Sequence, residues 1–171
     1  MRNLILTLLS FCICVGCIEN GENSIKLLPK GYTGPVLIVF NQPNGEPKEY
    51  EDGKRLYRIP KDGILKTKFE PDYGIHNHQF FYEDSLGHRE IIPFVIVQDK
   101  ELLSKIEDKS KIHAFAEQAR SEVKGYDPEF GKYTISPTRE FFIGNLLDIE
   151  KSYREVRQFS LENLKQFRIY E

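Results

Sequence analysis

The chain has 171 residues, with 24 basic and 26 acidic side chains and a formal net charge of −2. That near-neutral balance gives no electrostatic reason to expect a nucleic-acid partner. Charged residues make up 29% and apolar residues 40%, and the two are interspersed, so a folded core is expected and extensive disorder is not.

Arg2 is followed by an apolar stretch over residues 4–15, well short of the roughly 20 residues of a membrane-spanning helix. A cation, a short apolar centre and a small residue before a cysteine (Gly16-Cys17) predict a cleaved leader. Residues 14–17 resemble the lipoprotein processing pattern Leu-x-Gly-Cys, with Cys14 standing where leucine is usual. Ordinary secretory cleavage after Gly16 and an uncleaved anchor are the alternatives. On the lipoprotein reading, residues 1–16 form the signal peptide and Cys17 is the lipidation site, carrying diacylglycerol and a further acyl chain such as palmitate. The only cysteines are Cys12, Cys14 and Cys17, so the mature domain would hold one thiol and no disulfide. Two or three acyl chains retain a protein on a membrane where a single one does so marginally. Similarity to Gram-negative lipoproteins implies the outer membrane, because Ile18 rather than aspartate follows Cys17. Residues 19–24 have no apolar side chain, which predicts a lipidated tether over 17–24 and a single domain over 25–171.

Short apolar runs then alternate with turn residues. A strand over 24–28 ends at Pro29 and Gly31, and residues 36–40 are apolar on both faces, as a central strand covered on each side would be. Asn44-Gly45 marks a tight turn. Residues 49–51 and 55–59 flank Asp52-Gly53, and residues 55–59 and 64–69 flank Asp62-Gly63. Each Asp-Gly can supply the positive φ of a hairpin turn. Leu65, Thr67 and Phe69 share one strand face, opposite Lys66 and Lys68. Residues 78–83 and 88–97 flank Ser85-Leu86-Gly87, a third hairpin, and Pro93 predicts an edge or a bend where the chain changes sheets. The turn glycines recur at intervals of 8 to 13 residues, the spacing of an antiparallel sandwich or barrel.

Further on, residues 99–111 read as a short helix or loop, and 112–123 fit helix or strand. Residues 125–132 read as a loop, and 133–135 and 139–143 as final strands around Pro137. Leu146, Ile149, Tyr153, Val156, Leu164 and Phe167 keep a 3.6-residue period, predicting a terminal helix with a break near Ser160. The fold class expected is mainly β, an antiparallel β-sandwich-like domain with a C-terminal helical segment.

The segments 31–38, 53–60 and 63–65, with Phe142-Ile143-Gly144, resemble a family of short, uncharacterised bacterial lipoproteins defined by a domain of unknown function. The resemblance covers most of residues 25–147, and its motifs are turns and core strands. It implies a strand at 112–117 and brings no catalytic or binding residues.

Chemistry-bearing patterns are sparse. His76 and His78, two residues apart on an extended chain, with His88 across the third hairpin, are the metal candidates. Loop histidines are more often solvated. Glu46, Glu49, Glu51 and Asp52 interleave with Lys48, Lys54 and Arg55 and lack a calcium-loop pattern. Tyr50, Tyr57, Tyr73, Phe80, Phe81 and Tyr82 could form an aromatic face but suit a core equally well, and no tryptophan is present to stack on a sugar. Gly-x-Ser-x-Gly, His-Glu-x-x-His and phosphate-cradling loops are absent from the sequence. The expectation is a membrane-anchored, non-catalytic envelope module without cofactor, facing a protein or glycan partner. A metal or small-ligand carrier is the alternative and a hydrolase the third reading.

Overall fold

The computed structural model describes residues 21–74 and 77–171. In chain order these form β1 (Ser24–Pro29), β2 (Gly34–Val39), β3 (Glu49–Glu51), β4 (Lys54–Arg58), β5 (Ile64–Lys66), β6 (His78–Glu83), β7 (Arg89–Ile92), α1 (Lys100–Ser104), β8 (His113–Arg120), β9 (Val123–Asp127), β10 (Gly131–Ile135), β11 (Thr138–Gly144), α2 (Ile149–Leu164), a 3₁₀ turn (Lys165–Phe167) and β12 (Arg168–Tyr170). The strands build a five-stranded sheet in the order β3-β4-β1-β6-β7, a four-stranded sheet β5-β2-β11-β8 and a three-stranded sheet β12-β10-β9. Six of the strand pairings are antiparallel; β1 with β4, β1 with β6 and β2 with β5 are parallel. The fold is thus a β-rich domain of mixed sheets with a C-terminal helix.

Alternation along β2 explains the layering. Val36, Ile38 and Phe40 face the five-stranded sheet and pack with Leu28, Tyr57, Phe80 and Ile92. Leu37 and Val39 face the other way, onto Phe159, Leu164 and Phe167 of the C-terminal segment. Both faces of β2 are buried, as its unbroken apolar run requires. α2 opens with Asp148, whose side chain accepts from the Lys151 N–H, and then lays Val156 against Phe115 and Phe142.

Asp52 and Gly53 both have positive φ (50° and 72°) in the β3–β4 hairpin, the conformation a type I′ turn needs. Asp62-Gly63 differs from the expected hairpin. Gly63 alone has positive φ, its N–H donates to Pro60 O, and the Asp62 carboxylate accepts from the Ile64 N–H. The chain there leaves the first sheet, and β5 runs parallel to β2 in the second. Pro93 marks the other change of sheet, since β7 ends at Ile92 and Phe94 bridges to Ala114 of β8.

Two further expectations are corrected. Residues 125–132 are a hairpin rather than a loop, because β9 and β10 continue β8 and β11, and β12 pairs alongside. Its Asp127 carboxylate accepts from the Glu129 and Phe130 N–H groups, which closes the tip. α2 runs unbroken through Ser160, whose hydroxyl donates across to Glu140 Oε1 at 2.5 Å instead of back to its own helix. Ordered contacts also begin before residue 25: Ser24 is buried in β1 and Glu22 pairs with Arg55. Cys17 and His76 lie outside the described residues.

Candidate functional site

At one end of the sandwich, the faces of two sheets meet over polar groups. β1 turns Ser24, Lys26 and Leu28 inward and Ile25 and Leu27 outward, the reverse of what polarity suggests. Lys26 is fully buried, its Nζ 4.5 Å from the centroid of the Phe80 ring and 3.1 Å from Glu117 Oε1. Glu117 reaches this position through a β-bulge. Phe142 pairs with Phe115 and Glu140 with Gln118, so β8 spends one residue more than β11 over this interval. Ala116 takes up the difference with φ of 56°, a left-handed conformation disfavoured for a residue with a Cβ. Phe115 and Ala116 then both face α2 and Glu117 faces the interior; without the extra residue, Glu117 would share the outward face of Phe115.

Arg139 of β11 stands 3.4 Å from Glu117 Oε1, donates to Asp72 O at 2.7 Å, and places Nη1 2.7 Å from His78 Nε2. A guanidinium nitrogen can only donate, so Nε2 accepts and the ring proton sits on Nδ1, 2.7 Å from Ser24 Oγ. Lys26 Nζ lies 3.2 Å from the same hydroxyl oxygen. The sequence of groups Ser24, His78, Glu117 imitates a nucleophilic triad, but the imidazole points a proton, not a lone pair, at the serine. Glu117 Oε2 also lies 3.4 Å from His78 Nε2, so Ser24, His78, Glu117 and Arg139 form one charged network. Burial pulls the Lys26 ammonium from its ordinary 10.5 down to about 8; Glu117 opposes the shift and the positive Arg139 adds to it. A cleft of about 390 Å³ lies against the cluster, with His78, Glu117 and Arg139 in its lining beside Tyr73 and Phe94.

The other residues singled out in the sequence are dispersed. His88 is exposed at the far end of the β6–β7 hairpin with Nδ1 3.1 Å from Asp84. Six residues of extended chain put it about 20 Å from His78. Among the described residues no three His, Cys, Asp or Glu side chains gather as a metal site. Glu49 and Glu51 pair with Arg58 and Arg89, which also share Glu83, over the outward patch of Ile25, Leu27, Leu56 and Phe81. Hydrogen bonding from Arg89 holds the Glu51 carboxyl below the usual range. Tyr57 and Phe80 are core, while Tyr50 and Tyr73 are exposed at separate places, so the aromatic residues make no common face.

A further hollow, on the side of the four-stranded sheet that faces α2, was not foreshadowed. Between α2 and the β9–β10–β12 sheet runs a groove of about 750 Å³. Val123, Tyr133 and Ile135 line it from the sheet, and Leu161 and Leu164 from the helix. Val123 and Leu161 remain 48% and 54% exposed. Arg120, Arg154, Arg157, Lys165 and Arg168 also line it, against the single carboxylate of Glu162. Arg168 lies over the Tyr133 ring at 4.2 Å and pairs with Asp127. Its Nε, and Oγ1 of the buried Thr138, have no hydrogen-bond partner among the described residues. The one sequence signal was Leu161, an apolar residue on an otherwise charged stripe of the terminal helix.

A β-rich domain of three mixed and antiparallel sheets with a helix-walled groove is the class these features define. The chain belongs to the family of unknown function DUF6843, whose model matches residues 20–139. The match takes in the charged cluster and the sheet wall of the groove; α2 lies beyond it. A crystal structure named "Putative Lipoprotein from Bacillus anthracis" is similar at 18% identity and a TM-score of 0.47, over 83% of this chain and 96% of that one. No curated protein matches the sequence.

Two predictions follow from the bulge and the ion pair. Ala116→Val, which puts a β-branched residue at positive φ, is expected to destabilise the fold by about 2 kcal/mol in urea unfolding. Ala116→Gly stays within about 1 kcal/mol of wild type, since relief of strain is offset by unfolded-chain entropy. Equal effects would mean that backbone strain is not what limits this position. For Lys26, folding lowers the pKa, so between about pH 8 and 10.5 the unfolded chain holds a proton that the folded one has released. The lysine's contribution to stability is therefore lowest below pH 8 and rises through this window. Comparing wild type with Lys26→Met at about pH 7 and pH 10 should shift their difference toward wild type by on the order of 2–3 kcal/mol. A difference independent of pH would contradict the assignment.

Proposed function

We propose that this chain is a lipid-anchored, non-catalytic binding module of the cell envelope, held by Cys17 and presenting the groove between α2 and the β9–β10–β12 sheet. The observation that carries the reading is the groove itself. Its volume of about 750 Å³ falls within the roughly 300–1,000 Å³ of small-ligand pockets. Apolar side chains face one another across it while cations edge it, a surface that contributes nothing to the fold by staying open. The leader pattern ending in Gly16-Cys17 supports the anchor. In a cell with two membranes, Ile18 after that cysteine favours the outer one. The carrier alternative is less well supported, because His78 and His88 sit at opposite ends of β6 and its hairpin and His78 is already engaged by Ser24 and Arg139.

Metabolic labelling with an alkyne fatty acid should mark wild type and not Cys17→Ser; equal labelling of both would remove the anchor. A photo-crosslinking residue in place of Leu161 should give one discrete adduct in intact cells. The same residue in place of Leu86, 79% exposed at the β6–β7 turn, should give none. Matching yields at the two positions would sink the groove as the binding face.

A further inference from the structure

Resting on the groove as the binding face, we infer that its ligand is a long-chain carboxylate, a fatty acid drawn from the membrane, with its acid group at the Arg120, Arg154 and Arg157 end. The residues that α2 contributes, from Arg154 to Leu164, extend over about 15 Å of helix. That is a linear track suited to an extended aliphatic chain rather than to a compact ring system. Ile135, Leu161 and Val123 would cover the chain, and each methylene removed from water adds to binding.

Charge selects the head group. Arg120, Arg154 and Arg157 also line a second hollow of about 420 Å³ beside Glu140, so the three guanidinium groups form the ridge between the two. The carboxylate in that hollow is Glu140, fully buried and already engaged by Ser160 and by Arg120, whose Nε is 2.8 Å away. Arg154 has only Glu150 at 3.9 Å, and Arg157 makes no ion pair among the described residues. Positive charge at this end therefore exceeds negative. Thr138, 2% exposed and lining the groove, has a hydroxyl with no partner among the described residues. A buried hydroxyl left so is costly, and a carboxylate oxygen seated beside it would accept its proton in a hydrogen bond. A neutral chain alcohol would leave the guanidinium groups uncompensated. A sugar would leave the apolar walls wet.

The test uses the full chain in nanodiscs of zwitterionic phosphatidylcholine, with dansylundecanoate as the probe and protein-free discs as the reference. Protein-bearing discs should hold probe in saturable excess, displaced by oleate and not by oleyl alcohol at the same concentration. Arg154→Glu combined with Arg157→Glu should weaken binding about tenfold or more, the loss expected for charge-assisted contacts, and Leu161→Asp similarly. All three positions are exposed, so folding is retained, and Lys61→Glu, away from the groove, serves as the charge control. No excess over empty discs, or charge-reversed protein that binds like wild type, overturns the inference. Displacement by lysophosphatidic acid but not by oleate also overturns it, in favour of a phosphate head. A discrete cellular adduct at position 161 alongside no fatty-acid binding removes the ligand class and leaves the binding face standing. Loss of both removes the groove altogether.

Discussion

Lys26 is enclosed between two sheets, and an ammonium without water needs a carboxylate in contact. The polypeptide meets that need from a strand whose regular alternation would have aimed the carboxylate outward, by inserting one residue and tolerating a left-handed alanine. Desolvation offsets much of the attraction in such a pair, so its structural consequence is alignment. Sliding β8 by one position would bring an alanine or a glutamine to the interior and strand the ammonium. Arg139, His78 and Ser24 complete the same network, which fixes the ends of β1, β6, β8 and β11 relative to one another.

From that fixed end, β8 and β11 run on as β9 and β10, past the edge of the sandwich. A two-stranded ribbon alone is marginal in water. Here β12 pairs beside it, delivered by the 3₁₀ turn after α2, so helix and ribbon are connected at both the sheet and the C-terminus. The groove is the space enclosed by that closed path. One group ties the two walls together: Glu140, at the junction, is held by Ser160 from the helix and by Arg120 from the end of β8.

Local chemistry made part of this legible. Asp52-Gly53 announced its hairpin because both positions tolerate positive φ, Pro93 its change of sheet because it has no N–H, and residues 36–40 their double burial because they are apolar throughout. Asp62-Gly63 misled because the same dipeptide also serves a turn in which aspartate caps the next strand. Residues 125–132 read as a loop because Gly125, Asp127, Pro128 and Gly131 dilute the alternation there, and the pairing is inherited from distant strands. Ala116 gave no sign, since a left-handed alanine looks like any other. Lys26 was hidden more deeply: in Ser-Ile-Lys-Leu, polarity assigns isoleucine and leucine to the face between the sheets, whereas they are buried in a small cluster on the other face and the lysine takes the inner one. The groove was invisible because its facing walls are distant in sequence, Val123 standing 38 residues before Leu161, and nothing local records that they face one another.

The parallel placement of β1 has a mechanical consequence. It is the first described strand, yet it lies in the centre of its sheet with β4 and β6 both parallel to it. Tension applied through the N-terminal chain runs along the strand axis and loads the two hydrogen-bond ladders together, in shear. An edge strand, or one paired antiparallel through a neighbouring turn, would open one bond at a time under the same pull. A domain built this way resists force at its N-terminus far better than force at its C-terminus, where β12 contributes only three residues to a single neighbour.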